Sequence, residues 1–156
     1  MTPELRAAEA HERYLYPGDL VASRAPLVVS TVLGSCVSVC LWDATTAIGG
    51  INHYLLADRA NGAGAAERYG STAIPMLVDQ VMAAGGRRAA VVAKIFGGAE
   101  LSGSPLGRSV GQANVAVAIL ALGELGIPII ARDTGGSRAR RLVFSTADGV
   151  ALVRRL

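Results

Sequence analysis

Residues 36–42 alternate Cys36, Ser38, Cys40 and Trp42 with Val37, Val39 and Leu41, so an extended chain here has no solvated face. Side chains of a strand point alternately to opposite sides, and a run that is apolar or small at both parities is the pattern of a mostly buried strand. A helix capped by Ser35 is the less favoured alternative. The strand reading constrains the fold most, because such a strand needs packed structure on both sides.

The neighbouring segments supply it. Residues 19–23 and 27–32 are β-rich and bounded by Pro17-Gly18 and Pro26, which predicts two short strands. After a turn at 43–46, residues 47–56 read as another strand pairing back as a hairpin, followed by a loop from Ala57. From Ser71 to Ala84 the residues Ile74, Leu77, Val78, Val81 and Met82 recur at helical spacing, with Pro75 early in the run and Gly85-Gly86 ending it. Residues 89–96 predict a buried strand, 97–108 a glycine-rich loop, and 109–125 a second helix stopped by Gly126 and Pro128. Strands are predicted at 127–133 and 141–146, the latter turning through Asp148-Gly149 into 150–155. Many strands with two or three helices define an α+β protein, a layered β-sheet core with the helices outside.

A chain of 156 residues without repeats or a linker fits one domain, here placed at 18–156 behind an N-terminal extension of residues 1–17. A domain of that size buries roughly 70% of its unfolded surface, enough for a core without staples. Two cysteines make no disulfide framework, and the charged first thirty residues carry no apolar signal segment, so reduced thiols and a cytoplasmic location are expected. The longest apolar run, residues 115–122, is far short of the ~18 residues of a membrane span. The net charge is +3, and Lys94 is the single lysine among fifteen basic residues. The arginines near the C-terminus are not interleaved with aromatics, which argues for a solvated face and against nucleic-acid binding.

Chemistry points to few residues. Taken singly, His53 is more often a hydrogen-bonded core histidine, and Cys36 and Cys40 are more often small buried hydrophobes. Three features favour a site. Gly34-Ser35 forms a turn in which backbone N–H groups can converge beside Cys36, as an oxyanion requires. His53 can activate a thiol and then protonate a leaving amine. Ser30 or Thr31 offers a hydroxyl to orient the imidazole, which completes a Cys-His-hydroxyl constellation. Zinc is disfavoured, since Cys36 and Cys40 on one strand lie roughly 13 Å apart. The paired glycines match no phosphate-binding motif.

The sequence from Ser30 to Val37, Gly49-Gly50-Ile51-Asn52-His53-Tyr54-Leu55-Leu56, Arg68-Tyr69-Gly70, Ala93-Lys94-Ile95-Phe96-Gly97-Gly98-Ala99 and Asp133-Thr134-Gly135-Gly136 closely resemble, in this order, the CheD family of chemoreceptor glutamine deamidases. The resemblance covers nearly everything after residue 18. It implies a CheD-like sandwich, Cys36 as nucleophile, His53 as catalytic histidine, and Ser30 at the place where the family usually has threonine. Thr31, Gly34 and Ser35 are then expected to contact substrate, with no metal and no cofactor. The implied substrate is the cytoplasmic part of methyl-accepting chemotaxis receptors, with a CheC-type phosphatase as regulatory partner. The sequence departs from the family at Gln112-Ala113-Asn114, where Glu-Arg-Asn is usual, and at Arg138-Ala139-Arg140. The alternative is a non-catalytic module that docks on receptors or the phosphatase.

Overall fold

The structure, a computed structural model, describes residues 2–59, 64–101 and 105–156. Its elements in chain order are α1 (Pro3–Ala8), β1 (His11–Tyr14), β2 (Leu20–Ser23), β3 (Leu27–Leu33), β4 (Val37–Asp43), β5 (Ile48–Asn52), a 3-10 turn at Ala66–Arg68, α2 (Gly70–Ala83), β6 (Val91–Gly97), α3 (Pro105–Glu124), β7 (Ile129–Thr134), β8 (Arg140–Ser145) and β9 (Ala151–Arg155).

The strands form two sheets. One has the order β1-β3-β8-β9, the other β2-β5-β4-β6-β7. β4 is the middle strand of the larger sheet, and both of its faces are buried. Its Cys40 face packs with Ile51 and Phe96 against Val29, Leu33, Leu142 and Phe144 of the smaller sheet. Val37, Val39 and Leu41 on the other face meet Ile74, Leu77, Val78 and Val81 of α2 and Ala118 and Leu122 of α3. The layers are therefore sheet, sheet, helices, an α+β sandwich in which β4 is covered twice, as its two-sided sequence requires.

Local signals act where the sequence puts them. α2 begins at Gly70, carries Pro75 and stops at Gly85, whose φ of 112° suits glycine. The β4–β5 hairpin is tied by Asp43 Oδ1, which accepts from the Thr45 N–H at 2.8 Å and its hydroxyl at 2.6 Å. β8 turns into β9 through Gly149, as predicted.

Two differences matter for the site. β3 pairs in parallel with β1, and Leu15, just after β1, is fully buried, so residues 11–15 lie within the smaller sheet and its core. β5 ends at Asn52, earlier than predicted, because the ladder between β4 and β5 is interrupted there: the Val39 N–H donates to the Asn52 side-chain oxygen at 2.8 Å. Pairing resumes at Val37 and Tyr54, which exchange backbone bonds of 3.2 and 3.0 Å.

Candidate active site

His53 leaves β5 at that interruption. Its N–H donates to the Asp19 carbonyl at 3.0 Å and its carbonyl accepts from the Gly18 N–H at 2.7 Å, so the backbone here follows β2. Two residues after Ile51, the imidazole faces the smaller sheet, where inward Thr31 of β3 meets it. Thr31 Oγ1 stands 2.7 Å from His53 Nδ1 and 2.7 Å from the Leu15 carbonyl oxygen. A carbonyl can only accept, so the single hydroxyl proton goes to Leu15, and Thr31 then accepts from Nδ1–H. That fixes the tautomer with an unprotonated Nε2 lone pair.

Ser30 lies on the opposite face of β3, since Val29, Thr31 and Leu33 are the buried set. The hydroxyl against His53 is thus Thr31 and not Ser30, one residue along from the expectation drawn from the family's threonine. Thr31 is also fully buried and its hydroxyl is engaged at both ends, which leaves it no surface for the substrate contact expected of it.

Cys36 precedes the Val37–Tyr54 bridge and packs at the edge of the core between the sheets. In that register Cys36 and His53 are diagonal neighbours on one face of the strand pair, positions separated by roughly 7 Å in an antiparallel ladder. The loop holding the cysteine is fixed through its carbonyls. Gly34 O accepts from Ala99 N–H and Cys36 O from Gly98 N–H, both at 2.9 Å, while Ser35 O accepts from the Asn114 side-chain amide at 2.9 Å. In a trans peptide the N–H points opposite to the C=O, so these contacts turn the Ser35 and Cys36 N–H groups away from Ala99 and Asn114. The Cys36 N–H favours the thiolate form of its own side chain. The Gly97-Gly98 pair makes the close approach feasible: φ is 108° at Gly97, and a Cβ there would stand 2.2 Å from the Cys36 carbonyl oxygen.

The thiol opens into a pocket of about 290 Å³ walled by Ser35, Cys36, Leu55, Leu56, Arg68 and Tyr69. Arg68 is exposed. Burial pushes the Cys36 thiol above its ordinary pKa, and its own N–H and the Arg68 guanidinium partly offset this. Burial likewise lowers the His53 pKa to about 4, with Asp19 acting in the opposite sense. Both shifts favour the uncharged forms, so the resting pair at neutral pH is a thiol and a neutral imidazole. Cys40, one per cent exposed, faces the core between the sheets, and burial raises its thiol far more strongly.

Of the predicted site residues, the structure brings Cys36, Ser35 and Gly34 to the pocket loop and His53 behind it. Sequence reasoning gave no role to Leu15, Arg68 or Asn114. Arg68 stood inside a recognised motif, and Asn114 was the matching residue of a departing one, so a signal existed for both. Leu15 contributes only a carbonyl, which no side-chain pattern announces.

A sandwich of two sheets and a helical layer, with a cysteine on a glycine-bounded loop and a threonine-held histidine at the seam, defines the architecture and its site. The family model described as CheD chemotactic sensory transduction matches residues 55–155. The chain is 46% identical over 147 residues to a protein of Anaeromyxobacter dehalogenans named probable chemoreceptor glutamine deamidase CheD 1, covering 92% of this chain and 84% of that one. Similarly named proteins of Trichlorobacter lovleyi and Sulfurimonas denitrificans are 42% and 38% identical, with 91% and 94% of this chain and 89% and 95% of theirs covered. The chain belongs to the CheD family.

Proposed function

We propose that this protein deamidates glutamine side chains of methyl-accepting chemotaxis receptors to glutamate, with Cys36 as nucleophile, His53 as proton carrier and Thr31 as the group that orients it. The observation that carries this reading is the relay from the Leu15 carbonyl through Thr31 to His53 Nδ1, because it leaves Nε2 as a base on the face that holds Cys36. The relatives' names supply the substrate class.

The chemistry follows from the neutral resting pair. As Cys36 Sγ adds to the carboxamide carbon, its proton passes to His53 Nε2, and the oxyanion is met by the Cys36 N–H. The carbon–nitrogen bond then breaks, Nε2 gives its proton to the departing nitrogen, and ammonia leaves a thioester. A water gives its proton to Nε2 and adds to the thioester, the carbon–sulfur bond breaks, and the thiol recovers the proton. The result is a glutamate side chain, by steps that call for no metal or cofactor. Thr31 keeps the Nδ1 proton in place throughout and stabilises the imidazolium when it forms.

No helix among the described residues is long and apolar enough to cross a membrane. The receptor's cytoplasmic portion is the substrate in this reading, the location is cytoplasmic, and a CheC-type phosphatase is the regulatory partner. The test is ammonia release from a glutamine-bearing cytoplasmic receptor fragment, with the modified residues mapped by mass spectrometry. Turnover that disappears in Cys36→Ala supports the reading. A fragment that binds without any ammonia release would instead identify a docking module.

A further inference from the structure

Asn114 on α3 is fully buried, and its side-chain nitrogen donates to two carbonyls on either side of the site: Ser35 O at 2.9 Å and Leu55 O at 2.8 Å. Its own backbone carbonyl accepts from the Tyr54 hydroxyl at 2.6 Å. Both side-chain partners are acceptors, so the amide orientation is dictated by them. Its Oδ1 is buried without a hydrogen-bond partner among the described residues, an arrangement that costs stability. A residue kept at a cost to folding beside a reactive loop points to a functional constraint.

We propose that Asn114 is the positioning residue of the oxyanion site: by holding the Ser35 carbonyl it fixes the plane of the Ser35–Cys36 peptide and so aims the Cys36 N–H at the developing oxyanion. One rigid amide group has its carbonyl at one end and its N–H at the other, so anchoring the first sets the second. The second bond, to Leu55 O, ties the same anchor to the pocket wall beyond the Val37–Tyr54 bridge, so the cysteine loop and that wall share one reference point on α3. Asn114 touches neither the thiol nor His53 in any contact described; its effect passes through the peptide.

This inference rests on Cys36 being the nucleophile of the proposed deamidation, and the test separates the two. Alkylation of Cys36 by iodoacetamide is a displacement at saturated carbon and forms no oxyanion, whereas deamidation does. In Asn114→Ala, kcat for the receptor fragment should fall ~10- to 100-fold with KM nearly unchanged, at or below the lower edge of what outright loss of an oxyanion donor costs. The Cys36 alkylation rate, read on its high-pH plateau where the thiolate is fully formed, should stay within about threefold of the parent protein, since only access to the sulfur then limits it. Asn114→Asp keeps the shape, and its buried carboxyl, facing two carbonyls, takes up a proton and offers one donor for two acceptors, so kcat should still fall, and it serves where the alanine variant folds poorly. Unchanged kcat in either folded variant, or a parallel fall in kcat and alkylation, would overturn the positioning role. Persistent turnover in Cys36→Ala would overturn the reading of the site itself.

Discussion

Thr31 and His53 come from different sheets, and their 2.7 Å contact is the point at which the smaller sheet enters the chemistry of the larger one. Thr31→Val keeps the shape and removes the hydroxyl, leaving a buried Nδ1–H and the Leu15 carbonyl unpaired. A loss of ~1 to 3 kcal/mol in transition-state stabilisation is expected, the cost of an unsatisfied hydrogen bond at a group that must stay oriented. Thr31→Ser should retain most activity, and Ser30→Ala, on the opposite face of β3, should be nearly silent. Steady-state kcat/KM for the three variants, with thermal unfolding as the check on folding, decides the matter. A larger loss from Ser30→Ala than from Thr31→Val would return the role to Ser30.

Burial of His53 makes both activity and stability depend on acid. Its pKa is about 4 in the folded protein and near 6.5 when unfolded, so the unfolded chain binds the extra proton first. Stability is therefore highest above about pH 6.5 and declines as pH falls toward 4, by ~3 kcal/mol for this group alone. His53→Gln should flatten that part of the stability curve in urea titrations. The base form of Nε2 survives to the same low pH, so the acid limb of kcat/KM should fall below pH 5. A limb centred near 6.5 would show a solvated histidine and contradict its burial.

The two cysteines should separate cleanly. Cys36→Ala removes the proposed nucleophile at the pocket wall and should abolish turnover, with a small effect on folding because the residue is only part-buried. Cys40→Ala leaves a hole between the sheets and should cost about 1 to 2 kcal/mol of stability with turnover kept. Native alkylation mapped by peptide mass spectrometry should mark Cys36; preferential marking of Cys40 would be incompatible with this site.

The legibility of these features differs for physical reasons. β4 was readable because burial on both sides leaves its mark on every residue of the strand. β1 was not: all four residues of His11–Tyr14 are exposed, and an edge strand held by backbone bonds to β3 needs no apolar pattern. α3 starts at Pro105, four residues before the helix predicted from 109. The choice between Ser30 and Thr31 was closed to pattern reading because valines flank both faces of β3, so parity alone does not say which face meets His53. Cys36 and His53 stood out by residue type and spacing, whereas Asn114 and Arg68 act from α3 and from the 3-10 turn before α2, and only the packing of these elements around the Val37–Tyr54 bridge brings them to the cysteine loop.

Arg68 supplies the last test, because it is the basic residue on the wall that also holds Cys36, and its charge favours the thiolate there. In Arg68→Gln the thiol pKa should move further upward, so alkylation of Cys36 at neutral pH should slow. Deamidation should drop by roughly threefold to tenfold, a modest loss because the guanidinium is solvated and screened. Arg68→Lys should restore much of the parent rate, as the effect is one of charge rather than of a forked hydrogen bond. Added salt should slow the parent enzyme toward the level of Arg68→Gln and leave that variant little changed, since only the parent has the interaction to screen. Equal salt sensitivity in both proteins would place the charge that matters elsewhere on the surface, and an unchanged alkylation rate in Arg68→Gln would show that the guanidinium does not act on the sulfur.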